Sequence, residues 1–146
     1  MNSVGKNFCF TSLDMSDAYF SIPIEKNFKK YLKFFWKGTL YEFCALPFGI
    51  SSAPRIFTKV VKVIFSQIRR FGISSFFYID DSLYQDSCYY SCLENSQKVY
   101  NFKESLGFSI NNEKSVLVPC QRITFLGYII DSMKRLKKLW NCPGLV

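Results

Sequence analysis

The clearest pattern of apolar and polar positions lies in residues 51–71. Apolar side chains recur there at spacings of three and four, as on one stripe of a helix; they are Ile56, Phe57, Val60, Val61, Ile64, Phe65 and Ile68. Ser51 or Ser52 can cap this helix, Pro54 suits its first turn, and Gly72 can end it. The lysines and arginines off the stripe form either a solvated face or a face that contacts phosphates.

Shorter runs of apolar, aromatic and β-branched residues predict strands. The first run, residues 8–13, predicts a buried strand that ends at an acidic residue, Asp14. The other predicted strands are residues 31–36, 39–46, 76–79, 82–85, 116–118 and 123–130, with Pro119 separating the last two. Lys37 and Gly38 suit a tight hairpin turn, because glycine accepts a positive φ. Another turn carries two adjacent carboxylates, Asp80 and Asp81.

A second, less regular helix is predicted over residues 89–106, and Gly107 can end it. Its expected core side comprises Leu93, Val99, Tyr100 and Leu106. The predicted order is strand, hairpin, helix, acidic hairpin, helix, hairpin. This order favours an α+β domain in which helices cover one face of an antiparallel sheet.

Composition supports one folded domain with an anionic partner. The chain has 146 residues, 49% hydrophobic and 18% aromatic, which is too apolar for a disordered tail. Its net charge of +8 favours nucleic acid as a partner, although a merely soluble basic protein has the same charge.

The six cysteines and the absence of histidine favour reduced thiols over a zinc site, since only Cys88 and Cys92 lie close together. Nothing near the N-terminus resembles a secretion signal. No apolar run reaches the roughly 18 residues of a membrane span, so no membrane partner is expected. We therefore expect an intracellular protein, in the cytoplasm or the nucleus.

Three carboxylates are the candidate chemistry. A sheet that places the first strand beside the acidic hairpin brings together Asp14, Asp80 and Asp81. Such clustered like charges raise each other's pKa, so a divalent cation is the natural opposing charge, and oxygen ligands suit Mg²⁺. The alternative is that these aspartates only shape turns, in which aspartate is common.

Five stretches, in order, resemble the motifs of reverse transcriptases: residues 13–20 (LDMSDAYF), 46–49 with 52–54 (LPFG, SAP), 78–81 (YIDD), 112–115 (NEKS) and 125–128 (FLGY). The residues of these motifs resemble most closely those of retrotransposons of the Ty3/gypsy and DIRS kinds. The resemblance implies a polymerase palm with a ferredoxin- or RRM-like core over residues 1–131, with part of the fingers and no thumb. Residues 132–146 form an unassigned basic tail.

The resemblance implies the metal ligands and the cofactor. Asp14 and Asp80 are expected to hold the metals with help from Asp81, and the main chain of Met15 is expected to add a carbonyl ligand. The implied cofactor is a pair of Mg²⁺ ions, with Mn²⁺ as a substitute. In such pairs the ions lie about 3.5 to 4 Å apart and act on both the attacking and the leaving oxygen.

The resemblance also implies the nucleotide site. Main-chain amides of Asp17 and Ala18 are expected to contact the triphosphate. Tyr19 is expected to lie under the sugar and exclude a 2′-hydroxyl, although plain core packing also explains a buried aromatic residue. Phe48 is expected near the nucleotide and Gly49 near the template, where a missing side chain allows close approach; alternatively, Gly49 only shapes a loop.

Two further roles follow from the resemblance. Lys114 is expected to donate a proton to pyrophosphate, although an exposed lysine is ordinarily a surface charge. A primer grip is expected at Phe125, Leu126, Gly127 and Tyr128, which could also be a hairpin that closes the sheet.

The implied function is that of an RNA-directed DNA polymerase, a nucleotidyltransferase that adds a deoxynucleoside triphosphate (dNTP) to a primer on an RNA or DNA template. Other segments of a retroelement polyprotein are possible partners. Without fingers and thumb, we expect weak primer binding and poor activity. One alternative is a noncatalytic remnant that binds nucleic acid. The palm of an RNA-copying viral polymerase is a less favoured alternative, because Tyr19 is expected to exclude a 2′-hydroxyl.

Overall fold

The computed structural model describes residues 7–133 and the backbone of residues 137–139. Its helices are α1 (Lys26–Lys29), α2 (Ala53–Arg70) and α3 (Tyr89–Ser105), with a 3₁₀ turn over Ala18–Ser21. Its strands are β1 (Cys9–Ser16), β2 (Lys33–Trp36), β3 (Thr39–Glu42), β4 (Ser74–Tyr78), β5 (Asp81–Asp86), β6 (Ser109–Ile110), β7 (Val116–Cys120), β8 (Arg122–Phe125), β9 (Tyr128–Asp131) and β10 (Lys137–Leu139).

The main sheet has five antiparallel strands with β1 at its centre. Its order is β4-β5-β1-β6, and β7 also pairs with β1. The hairpin of β8 and β9 continues into β10 as a second sheet, and β2 and β3 form a third. The predicted α+β class with an antiparallel sheet is confirmed.

Each face of the main sheet has its own apolar packing, because side chains alternate along a strand. On one face, Leu13 and Met15 of β1 pack with Phe57, Phe65 and other residues of α2 and with Val99 of α3. On the opposite face, Phe10 of β1 and Leu83 of β5 pack with Ile123 of β8. The helices therefore lie on one side of the sheet.

Two of the predicted strand arrangements were wrong. The first strand does not end at Asp14 but continues to Ser16, because its last residues pair with β6. Residues 116–118 do not pair with residues 123–130. They lie in β7 beside β1, whereas residues 123–130 fold back on themselves at Leu126 and Gly127. Both turn residues have positive φ, which closes a two-residue hairpin that apolar patterning cannot reveal.

The helix over residues 51–71 is confirmed as α2, and Gly72 follows it with a φ of 79°. Five of the seven predicted stripe residues are buried, but Ile56 is 39% exposed beside an open groove. Ser52 occupies the N-cap position, but its side chain makes no capping hydrogen bond. The stripe therefore marks the buried face, and only its first residue lies outside.

The helix over residues 89–106 is confirmed as α3, but its predicted core side was largely wrong. Leu93 and Leu106 are more than 40% exposed, while the buried residues are Cys92, Ser96, Val99 and Lys103. The stripe that the helix turns towards the sheet makes two hydrogen bonds there: Cys92 Sγ donates to the Cys9 carbonyl oxygen at 3.5 Å, and Lys103 Nζ donates to the Ser82 hydroxyl oxygen at 2.8 Å. A rule that places leucine inside cannot find such a face.

The predicted hairpin around Lys37 and Gly38 is confirmed as β2 and β3, with positive φ at both turn residues. The cysteines within the described ranges, Cys9, Cys44, Cys88, Cys92 and Cys120, are free thiols. Within the described part of the chain, no helix combines the length and apolar character that a membrane crossing needs. Of the predicted tail, β10 pairs with β9, and the rest beyond residue 133 lies outside the described residues.

Candidate active site

Asp14 of β1 lies directly opposite Asp81 of β5 in this antiparallel pair of strands. Their neighbours Leu13 and Met15 point into the helix-covered core, and Ser82 bonds to a residue of α3. Because successive side chains of a strand point to opposite faces, both carboxylates lie on the face away from α2 and α3. The two aspartates thus share one side of the sheet.

Asp80 lies in the turn between β4 and β5. Only Ile79 and Asp80 form this turn, because Tyr78 pairs with Asp81; the expectation that Asp81 also lies in the turn was wrong. The main-chain N–H of Met15 donates to the Asp80 carbonyl oxygen at 3.4 Å, which joins the turn to β1. The third carboxylate therefore belongs to the same end of the sheet.

Ile79 has a φ of 54°, an unusual conformation for a β-branched residue. Such a backbone conformation costs about 1 to 3 kcal/mol and persists only where the surroundings impose it. Here the side chain packs against the helix-covered core, and the strands on both sides are paired. The turn is therefore held in one strained geometry next to the carboxylates.

The backbone of Asp14 is fixed from the side opposite β5. Its N–H donates to the Ser115 hydroxyl oxygen at 3.0 Å, and its carbonyl oxygen accepts from the Asn111 N–H at 2.8 Å. These partners belong to the loop that carries Asn112, Glu113 and Lys114. The fourth motif thus holds Asp14 in place, a role that the sequence did not indicate.

The three carboxylates interact electrostatically. Burial and then the charge of Asp80 raise the pKa of Asp14 above its usual 3.8. Burial, Asp80 and Asp14, in that order, raise the pKa of Asp81. Lys114 and Lys103 oppose both of these shifts. The site therefore concentrates negative charge that its two lysines only partly offset.

Oxygen-only donors of this kind suit a hard divalent cation such as Mg²⁺. Among the described residues, no group of three or more acidic, cysteine or histidine side chains is placed so that it could hold a metal ion by itself. An ion at Asp14 and Asp81 would need waters, main-chain oxygens or substrate phosphates as further ligands, which is usual for Mg²⁺.

Tyr19 lies beside the carboxylates, held by two aromatic contacts. Its ring packs edge-on against Phe48, with centroids 5.2 Å apart, and against Phe57 at 5.1 Å. Burial, and after it the charges of Asp80 and Tyr78, raise the pKa of Tyr19. Phe48 is 59% exposed and forms the outer side of this aromatic group.

Two backbone positions around Tyr19 have positive φ. Asp17 has a φ of 47°, and its carbonyl oxygen accepts from the Phe20 N–H at 2.8 Å, which starts the 3₁₀ turn. Ala18 is buried within that turn. Gly49 has a φ of 89°, and no protein atom lies within 4 Å of where a Cβ would be. Glycine at this position is therefore favoured by backbone conformation, and within the protein no close approach depends on it.

The remaining predicted site residues fall in two places. Lys114 is exposed and close enough to the carboxylates to lower the pKa of Asp14 and Asp81. The expected primer grip is the turn of the β8–β9 hairpin, in a different sheet from the carboxylates. Leu126 and Gly127 form the turn between the paired residues Phe125 and Tyr128.

One residue of this site was missed by the sequence reasoning. Lys103 of α3 is 1% exposed, and its Nζ donates to the Ser82 hydroxyl oxygen at 2.8 Å. Burial lowers its pKa to about 7, and the charges of Asp14 and Asp81 oppose that shift. The only available signal was the spacing of four, three and four along Cys92, Ser96, Val99 and Lys103, which marks a helix stripe without marking it as buried.

Comparison with known proteins places the chain in a family. The model of the reverse transcriptase (RNA-dependent DNA polymerase) family matches residues 1–130. Protein P of duck hepatitis B virus (strain United States/DHBV-16) is 31% identical over 135 residues, which are 89% of this chain and 16% of that protein. The retrovirus-related Pol polyprotein from transposon opus of Drosophila melanogaster is 30% identical over 130 residues, 89% of this chain and 13% of the polyprotein.

Solved structures agree with the sequence comparisons. The foamy viral protease-reverse transcriptase in complex with RNA/DNA hybrid has a TM-score of 0.75 at 27% identity, covering 85% of this chain and 16% of that one. Its dRH form in complex with double-stranded DNA has a TM-score of 0.81 at 26% identity, covering 94% and 23%. The chain spans less than a quarter of these proteins. It belongs to the reverse transcriptase (RNA-dependent DNA polymerase) family and is a reverse transcriptase domain of a retroelement.

Proposed function

We propose that this chain is the catalytic palm of an RNA-directed DNA polymerase, which transfers a nucleotide from a dNTP onto a primer 3′-hydroxyl. The observation that carries the proposal is the pairing of Asp14 with Asp81 next to the turn that holds Asp80. An arrangement that concentrates three interacting carboxylates at one end of a sheet is costly for a merely structural domain. It is useful for phosphoryl transfer, where metal ions need oxygen ligands.

Reverse transcriptases generally use divalent metals. In this chain, Asp14, Asp80, Asp81 and the main chain of Met15 would hold them, and the proposed ions are two Mg²⁺, replaceable by Mn²⁺. When bound, such ions activate the primer hydroxyl and stabilise charge on the departing pyrophosphate. The strained Ile79 turn and the hydrogen bonds to the Asp14 backbone position the carboxylates for this task.

The proposed dNTP site lies around Tyr19. The ring is held by Phe48 and Phe57, so it is a rigid surface against which a sugar without a 2′-hydroxyl can pack. Main-chain amides of Asp17 and Ala18 would contact the phosphates. Lys114, exposed beside the carboxylates, would donate a proton to the leaving pyrophosphate.

The proposed partners are a primer and an RNA or DNA template. The relatives solved with RNA/DNA hybrid and with double-stranded DNA support this choice, as does the net charge of +8. We propose that the turn from Phe125 to Tyr128 grips the primer, since Leu126 and Tyr128 expose more than 40% of their surface. Other segments of a polyprotein, within the cytoplasm or nucleus, are the proposed context.

A single-nucleotide incorporation assay tests the proposal. The purified chain, a primed RNA template, Mg²⁺ and one labelled dNTP are expected to give slow extension by one nucleotide. Asp80→Asn, which keeps the size of the side chain and removes its charge, is expected to reduce the signal by about a hundredfold or more, as losing one electrostatic contact in a transition state typically does. Equal extension by the wild type and by Asp80→Asn would refute the proposed chemistry.

A noncatalytic nucleic-acid-binding role is the second candidate. The hairpin of β2 and β3 favours it, because Phe35 and Trp36 are at least 60% exposed next to Lys33 and Lys37. Exposed aromatic rings beside lysines suit stacking on single-stranded bases. Salt-sensitive binding of a labelled oligonucleotide, without incorporation that depends on Asp80, would favour this role over the first.

A further inference from the structure

Lys103 is buried beneath the carboxylate site, on the other face of the sheet. It projects from α3 onto Ser82 of β5, and Ser82 follows Asp81 in the chain. Adjacent residues of a strand point to opposite faces, so Asp81 lies above the sheet and Ser82 below it. The lysine ammonium group therefore faces the underside of the strands that carry Asp14 and Asp81.

A chain of hydrogen bonds connects this lysine to both strands. The Lys103 Nζ donates to the Ser82 hydroxyl oxygen at 2.8 Å, and the Ser82 hydroxyl donates to the Leu13 carbonyl oxygen at 2.8 Å. Leu13 precedes Asp14 and pairs with Ser82 across the sheet. The lysine thus bonds to the pair of residues directly next to the Asp14–Asp81 pair.

Burying an ammonium group is unfavourable unless other interactions compensate for the lost hydration. At Lys103 the Nζ lies 5.3 Å from the centre of the Phe65 ring and 5.9 Å from that of Tyr84, contacts that are weakly favourable. The opposing charges that act on the lysine are those of Asp14 and Asp81. The carboxylate site therefore offsets part of the cost of burying the lysine.

We propose that Lys103 is a built-in counter-cation of the carboxylate site. From the underside of the sheet it stabilises Asp14 and Asp81 while no metal is bound, and it weakens the binding of divalent ions. It acts through the sheet and does not touch a substrate, so it is a positioning and charge-setting residue. The inference rests on the proposed function only in taking Asp14 and Asp81 as metal ligands.

Direct metal binding tests the inference without measuring polymerisation. Mn²⁺ is titrated into the purified chain at pH 6, below the Lys103 pKa of about 7, so that most of the lysine is protonated, and free Mn²⁺ is followed by electron paramagnetic resonance. Two variants remove the charge: Lys103→Met also removes the hydrogen bond, whereas Lys103→Gln can still donate to Ser82. Each is expected to lower the dissociation constant for Mn²⁺ about five- to tenfold, as a single screened charge near the site predicts.

Lys98→Gln is the matched control, because it removes one positive charge from an exposed position on the same helix. Its Mn²⁺ affinity is expected to stay within about twofold of the wild type, since solvent screens an exposed charge. Unchanged or weaker Mn²⁺ binding by folded Lys103→Gln would overturn the inference. If neither lysine variant folds, as judged by circular dichroism, the inference also fails, since Lys103 would then be required only for folding.

The double variant Asp14→Asn/Asp81→Asn separates this inference from the proposed function. It is expected to lose Mn²⁺ binding. If it binds Mn²⁺ as the wild type does, the carboxylates are not the metal site and the proposed function itself fails. If it loses binding while both lysine variants leave affinity unchanged, only the inference about Lys103 fails.

Discussion

Asp14 and Asp81 are direct partners across two antiparallel strands, so their backbones lie as close as any cross-strand pair. Like charges at such positions destabilise a sheet. The adjacent pair, Leu13 and Ser82, carries the hydrogen bonds that lead to Lys103. Hydrogen bonds on the helix-covered face of the sheet thus hold the strands in register, while the carboxylates on the opposite face repel each other.

Neutralising one of these carboxylates is expected to stabilise the metal-free chain. The pKa of Asp81 is raised above 3.8 in the folded state, so its protonated form is favoured by folding. That contribution to stability is complete below about pH 3.8 and is lost as pH rises through the folded pKa. Asp81→Asn should therefore increase the free energy of unfolding at pH 7 by about 0.5 to 1 kcal/mol, allowing for solvent screening.

Urea unfolding without added metal checks this prediction at pH 7 and pH 3. At pH 3 the aspartates are largely protonated, so Asp81→Asn should have little effect. Glu104→Gln is the control, because it removes one negative charge from an exposed position on α3. Destabilisation by Asp81→Asn at pH 7 would contradict the repulsion inferred between Asp14 and Asp81.

Lys103 is expected to give the stability a distinct pH dependence. Burial lowers its pKa from 10.5 to about 7, so the folded chain releases a proton that the unfolded chain retains between these values. Stability should therefore rise with pH from about 7 to 8.5, and Lys103→Met should lack this rise. Urea unfolding at half-unit pH intervals measures the difference, and parallel curves for the two proteins would show that burial does not lower the pKa of Lys103.

Tyr19 is expected to discriminate between sugars. Tyr19→Ala removes the ring that Phe48 and Phe57 hold in place, and should raise incorporation of ribonucleotides relative to deoxynucleotides about 10- to 100-fold. Tyr19→Phe keeps the ring and should retain the wild-type preference. Single-nucleotide extension with matched dNTP and rNTP measures the ratio. An unchanged ratio in folded Tyr19→Ala would assign the ring to core packing alone.

The turn at Leu126 is expected to combine strain with function. Leu126 has a φ of 51° in a two-residue hairpin turn, where asparagine is preferred. Leu126→Asn should increase the free energy of unfolding by about 0.5 to 1 kcal/mol, in line with the lower strain of asparagine at positive φ. If the turn grips the primer, the same variant should weaken extension of a primed template.

Lys37→Asn is the matched control, since Lys37 also precedes a glycine in a two-residue turn, with a φ of 45°. It should stabilise the chain by a similar amount without affecting the β8–β9 turn. Urea unfolding and primer extension are measured for both variants. A loss of stability in both variants would mean that positive φ is not strained in these turns. Primer extension by Leu126→Asn equal to that of the wild type would mean that Leu126 is not part of the primer grip.

Local sequence was enough to identify the two long helices, the first hairpin and the family. The regular spacing in residues 51–71 predicted α2, and the Lys37-Gly38 turn predicted the first hairpin. These features depend on neighbours in the chain, so sequence patterns report them directly. The motif around Asp14 and the Asp80–Asp81 pair indicated the chemistry in the same way.

Long-range pairing was decided only by the tertiary structure. Residues 116–118 joined β1 instead of the neighbouring hairpin, and Asp81 entered a strand opposite Asp14. Which strands meet depends on how the whole sheet packs against the helices. Lys103 shows this most clearly: lysine is ordinarily exposed, and only the negative charges and polar groups gathered from β1 and β5 make its burial physically reasonable.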